Sequence, residues 1–230
     1  MIEIGGLQKN TLIDFPGRIA ATVFLCGCNF RCPWCYSAEL VLPEKIKLQP
    51  KISTEEFFSF LEERKGLLEG VVICGGEPTI HPELPEFVKK IKDLGYLVKL
   101  DTNGSNPKML KKMIKEKLID YVAMDAKLPK EKYKKILGIE SKKIDESIKI
   151  LNNSGIDFEF RTTVVPTIHQ KEGIVQIAKW LQPAKKYYLQ NFRPEKTIDP
   201  KFTKIKPYSD EYFLKIQKTI ASLFDVCEIR

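Results

Sequence analysis

Three cysteines in one short loop have the spacing of an iron–sulfur ligand set. Cys28, Cys32 and Cys35 form a C-x-x-x-C-x-x-C pattern, and thiolates are the groups that hold a [4Fe–4S] cluster. Such a cube usually takes four thiolates, so three leave one iron with an open position, which is typical of a catalytic metal centre. We therefore predict a [4Fe–4S] cluster whose fourth iron binds a small chelating ligand, such as the amino and carboxylate groups of a methionine.

Two other interpretations of the cysteines are open. The first is a structural zinc site with Cys26 as fourth ligand, and the second is a chance group of buried cysteines. The spacing favours iron and sulfide, because zinc loops usually pair two C-x-x-C motifs and this chain has no second pair. We interpret Cys26 as the end of a strand, and Cys74 and Cys227 as small buried residues.

Six short β-branched runs alternate with amphipathic stretches along the chain. The predicted strands are residues 19–25, 71–74, 96–100, 121–124, 158–165 and 186–189. The predicted helices are residues 53–64, 83–93, 107–117, 172–181 and 209–224, with helical segments over residues 130–153. This alternation predicts an α/β fold with right-handed crossovers and parallel strands. Six units do not complete an eight-stranded barrel, so we expect an open, partial (β/α)6 barrel. We expect one domain over residues 1–230, with an N-terminal extension of about residues 1–18 and a C-terminal helix of about residues 209–224.

Polar residues and a glycine pair follow the predicted strands, at the edge where parallel α/β folds have their active sites. These residues are Gly75, Gly76, Glu77, Asp101, Asn103, Asp125, Lys127 and Arg193. The glycines offer bare backbone for close approach of a ligand, and Glu77 suits an ammonium group. Asp101 and Asn103 suit ribose hydroxyls, whereas Asp125 and Lys127 suit a zwitterion. Taken alone, the glycine pair is better explained as an ordinary turn, and Asp101 and Asn103 equally well as a polar turn. Asp125 and Lys127 have a local ion pair as the alternative, so the prediction rests on all the loops together.

Composition limits the partners and the location. The net charge is +8, from 38 basic and 30 acidic residues, and nearly all the basic residues are Lys. This composition favours a solvated Lys/Glu surface over a nucleic-acid groove. The chain shows neither an apolar run long enough to span a bilayer nor a secretory signal. We expect a cytoplasmic protein that binds neither membrane nor nucleic acid.

The cysteine loop together with Gly75-Gly76-Glu77-Pro78 resembles the radical S-adenosylmethionine (SAM) superfamily. The run Ile13-Asp14-Phe15-Pro16-Gly17 is similar to the activating enzymes of glycyl-radical proteins, above all the anaerobic ribonucleoside-triphosphate reductase branch. The Asp101-Thr102-Asn103-Gly104 and Asp125-x-Lys127 segments look like those of pyruvate formate-lyase activating enzymes. The resemblance extends over nearly the whole chain.

The resemblance implies a role for each matching residue. Cys28, Cys32 and Cys35 would ligate the cluster, and the backbone from Trp34 to Tyr36 would contact the adenine of SAM. Gly75, Gly76 and Glu77 would meet the methionine amino group, and Asp101, Asp125, Lys127 and Arg193 would surround the ribose and the carboxylate. Relatives often carry His-Asn where this chain has Tyr36-Ser37, and the formate-lyase branch has His where this chain has Arg193.

The resemblance also implies an activity. A reduced cluster would cleave SAM to methionine and a 5′-deoxyadenosyl radical, and that radical would abstract hydrogen from a glycine of a partner glycyl-radical enzyme, such as anaerobic ribonucleotide reductase. The protein would then be an oxidoreductase. Its basic surface would suit a small acidic flavodoxin or ferredoxin as electron donor. Two alternatives stay open: a radical SAM enzyme that acts on a small molecule or a tRNA base, and a zinc-binding module without catalysis.

Overall fold

A computed structural model describes residues 2–230 of the chain. The strands are β1 (Ile4–Thr11), β2 (Ala20–Leu25), β3 (Gly70–Gly75), β4 (Leu97–Thr102), β5 (Tyr121–Asp125), β6 (Asp157–Val164), β7 (Lys186–Asn191) and β8 (Val226–Ile229). The helices are α1 (Ala38–Val41), α2 (Pro43–Ile46), α3 (Thr54–Glu63), α4 (Leu84–Asp93), α5 (Pro107–Lys115), α6 (Lys132–Leu137), α7 (Lys142–Asn152), α8 (Lys171–Trp180) and α9 (Asp210–Ile220). Short 3₁₀ helices cover Pro78–Ile80, Pro200–Lys204 and Ala221–Leu223.

The described strands form one open sheet in chain order from β1 to β8. The pairs β2–β3, β3–β4, β6–β7 and β7–β8 are parallel. Strands β2 to β7 are each followed by a helix, so the predicted α/β partial (β/α)6 barrel is confirmed. The sheet also has an antiparallel edge that the six predicted strands did not include, because β1 pairs with β2 in antiparallel orientation. Strands β1 and β8 both lie outside the predicted set.

Local sequence explains where several elements begin and end. Helix α3 begins after Ser53, whose hydroxyl accepts the Glu56 N–H at 3.0 Å, as expected of a helix cap. The predicted helical stretch 130–153 is divided into α6 and α7, because Gly138 adopts a left-handed φ of 69° and ends α6,. No helix in the described range is long and apolar enough to cross a bilayer.

The described residues group into two compact units, while one domain over the whole chain stays a prediction. The first unit contains the chain up to Phe30, Ser37–Thr102 and Lys108–Val122, and the second contains Arg31–Tyr36, Asn103–Pro107 and Ala123–Arg230. The core of the first unit includes Phe15, which packs with Ala20, Val72 and Tyr121. Each unit carries part of the predicted site, and the site residues are described below unit by unit.

Candidate functional site

In the first unit, the loop after β2 carries Cys28 and is held through Gly27. The Gly27 N–H donates to the Leu40 carbonyl at 2.8 Å, and the Gly27 carbonyl accepts the Glu77 N–H at 2.8 Å. The Cys28 thiol accepts the Phe30 N–H at 3.3 Å. Gly27 has a φ of 93°, a conformation that glycine adopts without strain. The backbone leading into Cys28 is therefore fixed by the chain itself.

Cys26 lies one residue beyond β2 and is 2% exposed. Its thiol accepts hydrogen bonds from Lys51 Nζ at 3.4 Å and from Gln49 Nε2 at 3.6 Å. Burial raises the pKa of this thiol, although the Lys51 ammonium opposes that change. These polar partners within the first unit agree with the interpretation of Cys26 as a residue that is not a cluster ligand. The prediction that it ends the strand was wrong by one residue.

Gly75 and Gly76 are required by a close approach of the chain to itself. A Cβ atom at Gly75 would clash with the Leu25 main chain, and one at Gly76 would clash with the Gly27 carbonyl oxygen and lie 2.6 Å from its carbon. The Gly76 N–H donates to the Leu25 carbonyl at 2.9 Å. These contacts give the two glycines a structural reason that the sequence interpretation did not include. Their contact with the methionine amino group stays a prediction.

Glu77 is fully buried, with 0% of the residue exposed. Its Oε1 accepts the Thr79 N–H at 3.1 Å, the Thr79 hydroxyl, and the Thr102 hydroxyl at 2.7 Å. A buried carboxylate is costly unless it is hydrogen-bonded, and these two threonines supply the donors. Sequence reasoning missed both, although Thr102 lies in the marked segment Asp101-Thr102-Asn103-Gly104 and Thr79 directly follows Gly75-Gly76-Glu77-Pro78.

Asp101 lies within β4 and forms an ion pair with Lys99, whose side chain is 1% exposed. Sequence reasoning missed Lys99, although a lysine in the middle of a predicted strand could have indicated a charged partner there. Residues 99 and 101 face the same side of a strand, so their charges neutralise each other. The predicted contact of Asp101 with ribose stays a prediction.

In the second unit, Cys32 and Cys35 lie on a turn that is fixed by main-chain hydrogen bonds. The Cys35 N–H donates to the Cys32 carbonyl at 3.0 Å. The segment after β7 holds the turn from the other side, since the Ile198 N–H donates to the Cys35 carbonyl at 3.0 Å and the Asp199 N–H to the Pro33 carbonyl at 2.9 Å. The two cysteines are thus presented by a fixed backbone.

The aromatic residues on either side of Cys35 have different surroundings. Trp34 is 4% exposed, and its ring packs edge-on against His169 with centroids 6.3 Å apart. Tyr36 is half-exposed, stacks on Phe192 at 6.0 Å, and accepts the Arg193 N–H on its hydroxyl at 2.8 Å. Trp34 therefore anchors the loop, whereas Arg193 meets the loop through its main chain.

Asp125 and Lys127 lie on one side of the chain, as their spacing predicts. Asp125 Oδ2 is 3.0 Å from Lys127 Nζ, and Asp125 Oδ1 is 3.1 Å from Arg161 Nε. Although burial opposes ionisation, these two cations hold the pKa of Asp125 down at about 2. Burial likewise disfavours the Lys127 ammonium, but Asp125 and the thiolates of Cys32 and Cys35 raise its pKa. Sequence reasoning missed Arg161, a charged residue within a predicted apolar strand.

Asn103 forms a local turn, because its Oδ1 accepts the Ser105 N–H at 2.9 Å. Gly104 follows with a φ of 73°, and a Cβ atom there would lie 2.8 Å from the Met124 sulfur. The Gly104 carbonyl accepts the Ser147 hydroxyl at 2.7 Å. The alternative reading of this pair as a turn is confirmed, while ribose binding by Asn103 stays a prediction.

Cys28, Cys32 and Cys35 offer thiolates, the groups that hold an iron–sulfur cluster,. No disulfide joins the six cysteines, all of which lie within residues 2–230. Within the same range, no three His, Cys, Asp or Glu residues are grouped closely enough to hold one ion. Thiolates that bind different irons of a cube need not approach each other as closely as the ligands of one zinc ion.

Comparison with known proteins identifies the family. The sequence pattern of the radical SAM superfamily matches residues 22–181, and the chain belongs to that superfamily. It is therefore a radical SAM enzyme, which uses a [4Fe–4S] cluster and SAM,.

Similar proteins cover nearly the whole chain. A Methanocaldococcus jannaschii protein, provisionally named a glycyl-radical enzyme activating enzyme, is 33% identical over 234 residues, which are 99% of this chain and 95% of the relative. A pyruvate formate-lyase-activating enzyme of Clostridium pasteurianum is 26% identical over 242 residues, covering 98% of this chain and 99% of the relative. Among solved structures, anSMEcpe with bound AdoMet has a TM-score of 0.65 at 18% identity, covering 89% of this chain and 61% of that chain. That structural likeness extends to the fold alone.

Proposed function

We propose that this enzyme activates a glycyl-radical protein, with anaerobic ribonucleotide reductase as the expected partner. The supporting observation is the 33% identity to a provisionally named activating enzyme over nearly the full length of both chains. When bound, the cluster supplies the electron that cleaves SAM to methionine and a 5′-deoxyadenosyl radical, which takes hydrogen from a glycine Cα of the partner. A glycine suits this role because it has no side chain to exclude it from a narrow site.

The residues of this chain would bind and orient the two cofactors. Cys28, Cys32 and Cys35 would hold the cluster, the last two on the turn fixed by the segment after β7. The Lys127 ammonium, kept charged by Asp125, would bind the SAM carboxylate. The Asp125 and Lys127 side chains are 29% and 24% exposed, and this partial burial strengthens their electrostatic interaction,.

Further contacts would come from the other predicted residues. Glu77 and the glycines would meet the methionine amino group, and Asp101, Asn103 and Arg193 would lie around the ribose and the carboxylate. The main chain from Trp34 to Tyr36 would contact adenine. Replacing Lys127 by Met, which keeps the length of the side chain and removes its charge, tests the contact assigned to the carboxylate.

The experiment uses protein reconstituted with iron and sulfide without oxygen, then mixed with dithionite, SAM and a purified glycyl-radical enzyme. The expected products are 5′-deoxyadenosine and a glycyl radical in the partner, detected by its electron paramagnetic resonance signal. Absence of 5′-deoxyadenosine would contradict the SAM-cleaving activity. If 5′-deoxyadenosine forms but no radical appears in any of a panel of glycyl-radical enzymes, the result would favour a small molecule or a tRNA base as the substrate instead.

We also propose an acidic electron donor, a flavodoxin or a ferredoxin, on the basis of charge. Helix α5 contains no acidic residue and four exposed lysines: Lys108, Lys111, Lys112 and Lys115. Lysines three and four positions apart on a helix repel each other, and an acidic partner relieves that repulsion. The surface charge therefore suits a negatively charged donor.

A double charge reversal on α5 tests the donor. Lys111→Glu with Lys112→Glu should slow SAM cleavage driven by reduced flavodoxin, while cleavage driven by dithionite, which needs no docking, stays at the wild-type rate. The matched control is Lys142→Glu with Lys143→Glu, two adjacent exposed lysines on α7. Equal slowing in both double variants would count against α5 as the docking surface.

A further inference from the structure

Both hydrogen-bonding groups of the Lys127 backbone are engaged by buried side chains of the second unit. The Lys127 N–H donates to the Tyr133 hydroxyl at 2.9 Å. The Lys127 carbonyl lies 2.9 Å from His169 Nε2. Tyr133 and His169 are both fully buried, at 0% exposure. This backbone therefore has a defined position just beyond β5, where sheet pairing ends.

The hydrogen bonds of His169 determine which ring nitrogen carries the proton. His169 Nδ1 accepts the Val165 N–H at 3.0 Å, so Nε2 carries the proton and donates it to the Lys127 carbonyl. Burial lowers the pKa of His169 to about 4, and the ring is neutral at neutral pH. A neutral imidazole has one donor and one acceptor, and both are used here.

The same ring also contacts the cysteine loop. Trp34, which lies between Cys32 and Cys35 in the sequence, meets the His169 ring at 83° with centroids 6.3 Å apart. His169 is itself held in place, since Tyr208 donates its hydroxyl proton to the His169 carbonyl at 2.7 Å. One side chain thus touches both the loop of the candidate ligands and the backbone of Lys127.

We propose that His169 is a positioning residue for SAM, which sets the Lys127 backbone relative to the turn that carries Cys32 and Cys35. This inference rests on the proposed contact between Lys127 and the SAM carboxylate. A lysine side chain is long and flexible, so its ammonium reaches a fixed point only if its backbone and its tip are both held. Asp125 holds the tip at 3.0 Å, and His169 holds the backbone.

Two substitutions test this role. His169→Phe removes both ring hydrogen bonds and keeps an aromatic ring beside Trp34, whereas His169→Gln keeps an amide donor for the Lys127 carbonyl. We expect His169→Phe to weaken SAM binding about tenfold, the effect of losing the one of these buried hydrogen bonds that reaches Lys127,. His169→Gln should recover part of that loss.

The readouts separate positioning from stability. SAM Kd is measured by equilibrium dialysis on reconstituted protein, alongside iron content, thermal unfolding, and KM and kcat for 5′-deoxyadenosine release. The expected result for His169→Phe is a raised Kd and KM for SAM, with iron content and kcat near wild type. Gln217→Leu is the matched control, because it removes a side-chain hydrogen bond to a main-chain carbonyl of the same unit, that of Cys227 at 2.6 Å, and leaves the hydrogen bonds of His169 and Lys127 intact.

Two results would overturn the inference. One is a wild-type SAM Kd in His169→Phe protein, whatever its thermal stability, and the other is equal weakening of SAM binding in the Gln217→Leu control. If His169→Phe protein does not fold, His169→Gln carries the test. A raised SAM Kd and KM, with no further loss when His169→Gln is added to Lys127→Met, supports the inference, and a wild-type Kd and KM in His169→Gln protein overturns it. Failure of the wild-type protein to release 5′-deoxyadenosine would instead count against the proposed function.

Discussion

Replacing Gly76 by Ala should destabilise the protein and displace the backbone that precedes Cys28. The new methyl group would clash with the Gly27 carbonyl oxygen and lie 2.6 Å from its carbon and 3.2 Å from the Leu40 carbonyl oxygen. All of these atoms belong to the main chain, so no side-chain rotation relieves the clash. Movement of Gly27 would also strain its hydrogen bonds to Leu40 and Glu77, which are both 2.8 Å long.

The magnitude follows from these contacts. Overpacking costs about 1–3 kcal/mol, and each main-chain hydrogen bond that is lost adds about 1 kcal/mol. The free energy of unfolding should therefore fall by about 3–5 kcal/mol. At about 2–4 °C per kcal/mol for a chain of this size, the unfolding temperature should drop by about 10 °C.

Scanning calorimetry and iron analysis of reconstituted protein check this prediction. Iron content should fall together with the unfolding temperature, because the displaced Gly27 adjoins Cys28. Gly6→Ala is the control, since a Cβ atom there meets Phe24 at an ordinary 3.5 Å. If Gly76→Ala protein melts within about 2 °C of the control and binds as much iron, the reasoning from close approach is refuted.

Two further predictions concern stability and ligation. Asp145 accepts the Trp180 indole N–H at 2.9 Å, and this bond with its lysine partners lowers the Asp145 pKa to about 2. Asp145→Asn should lower the free energy of unfolding by about 2 kcal/mol at pH 7. This loss should persist down to about pH 4 and shrink as the pH falls toward 2. Urea melts in which wild type and variant differ equally at all pH values would contradict this prediction. Cys26→Ala protein should keep its iron, because the Cys26 thiol is hydrogen-bonded to Lys51, whereas Cys32→Ala protein should lose its iron. Equal loss of iron and sulfide in both variants would show that the ligand assignment is wrong.

The six inner strands were predictable because their sequences are apolar and β-branched and lie between turn residues. Strand β1 was not, since Ile4–Thr11 contains two glycines and a lysine, and it is a strand because β2 pairs with it. Strand β8 has four residues, too few for a periodic pattern. Strand propensity depends strongly on such neighbours.

The sequence predicted which residues belong to the candidate site, but it did not predict which contacts those residues make. Gly76 looked like a ligand-binding glycine, whereas its contact with Gly27 joins positions far apart in the sequence. Lys99 and Arg161 were not predicted as site residues, because Asp101 and Asp125, with which they form ion pairs, had been interpreted as ligand-binding residues. Sequence spacing shows which residues share a strand face, but it does not show which charges neutralise each other.

The open sheet has two edge strands that could pair with strands of other chains, but the geometry of each edge strand disfavours such pairing. The β1 edge is irregular, with register shifts between Ile4 and Gly6 and between Gln8 and Thr11, and Ile52 pairs with Ile4. The β8 edge has only four residues. Irregular and short edge strands are poor templates for intermolecular sheet growth. The chain therefore keeps its sheet open with a low tendency to aggregate through its outer strands.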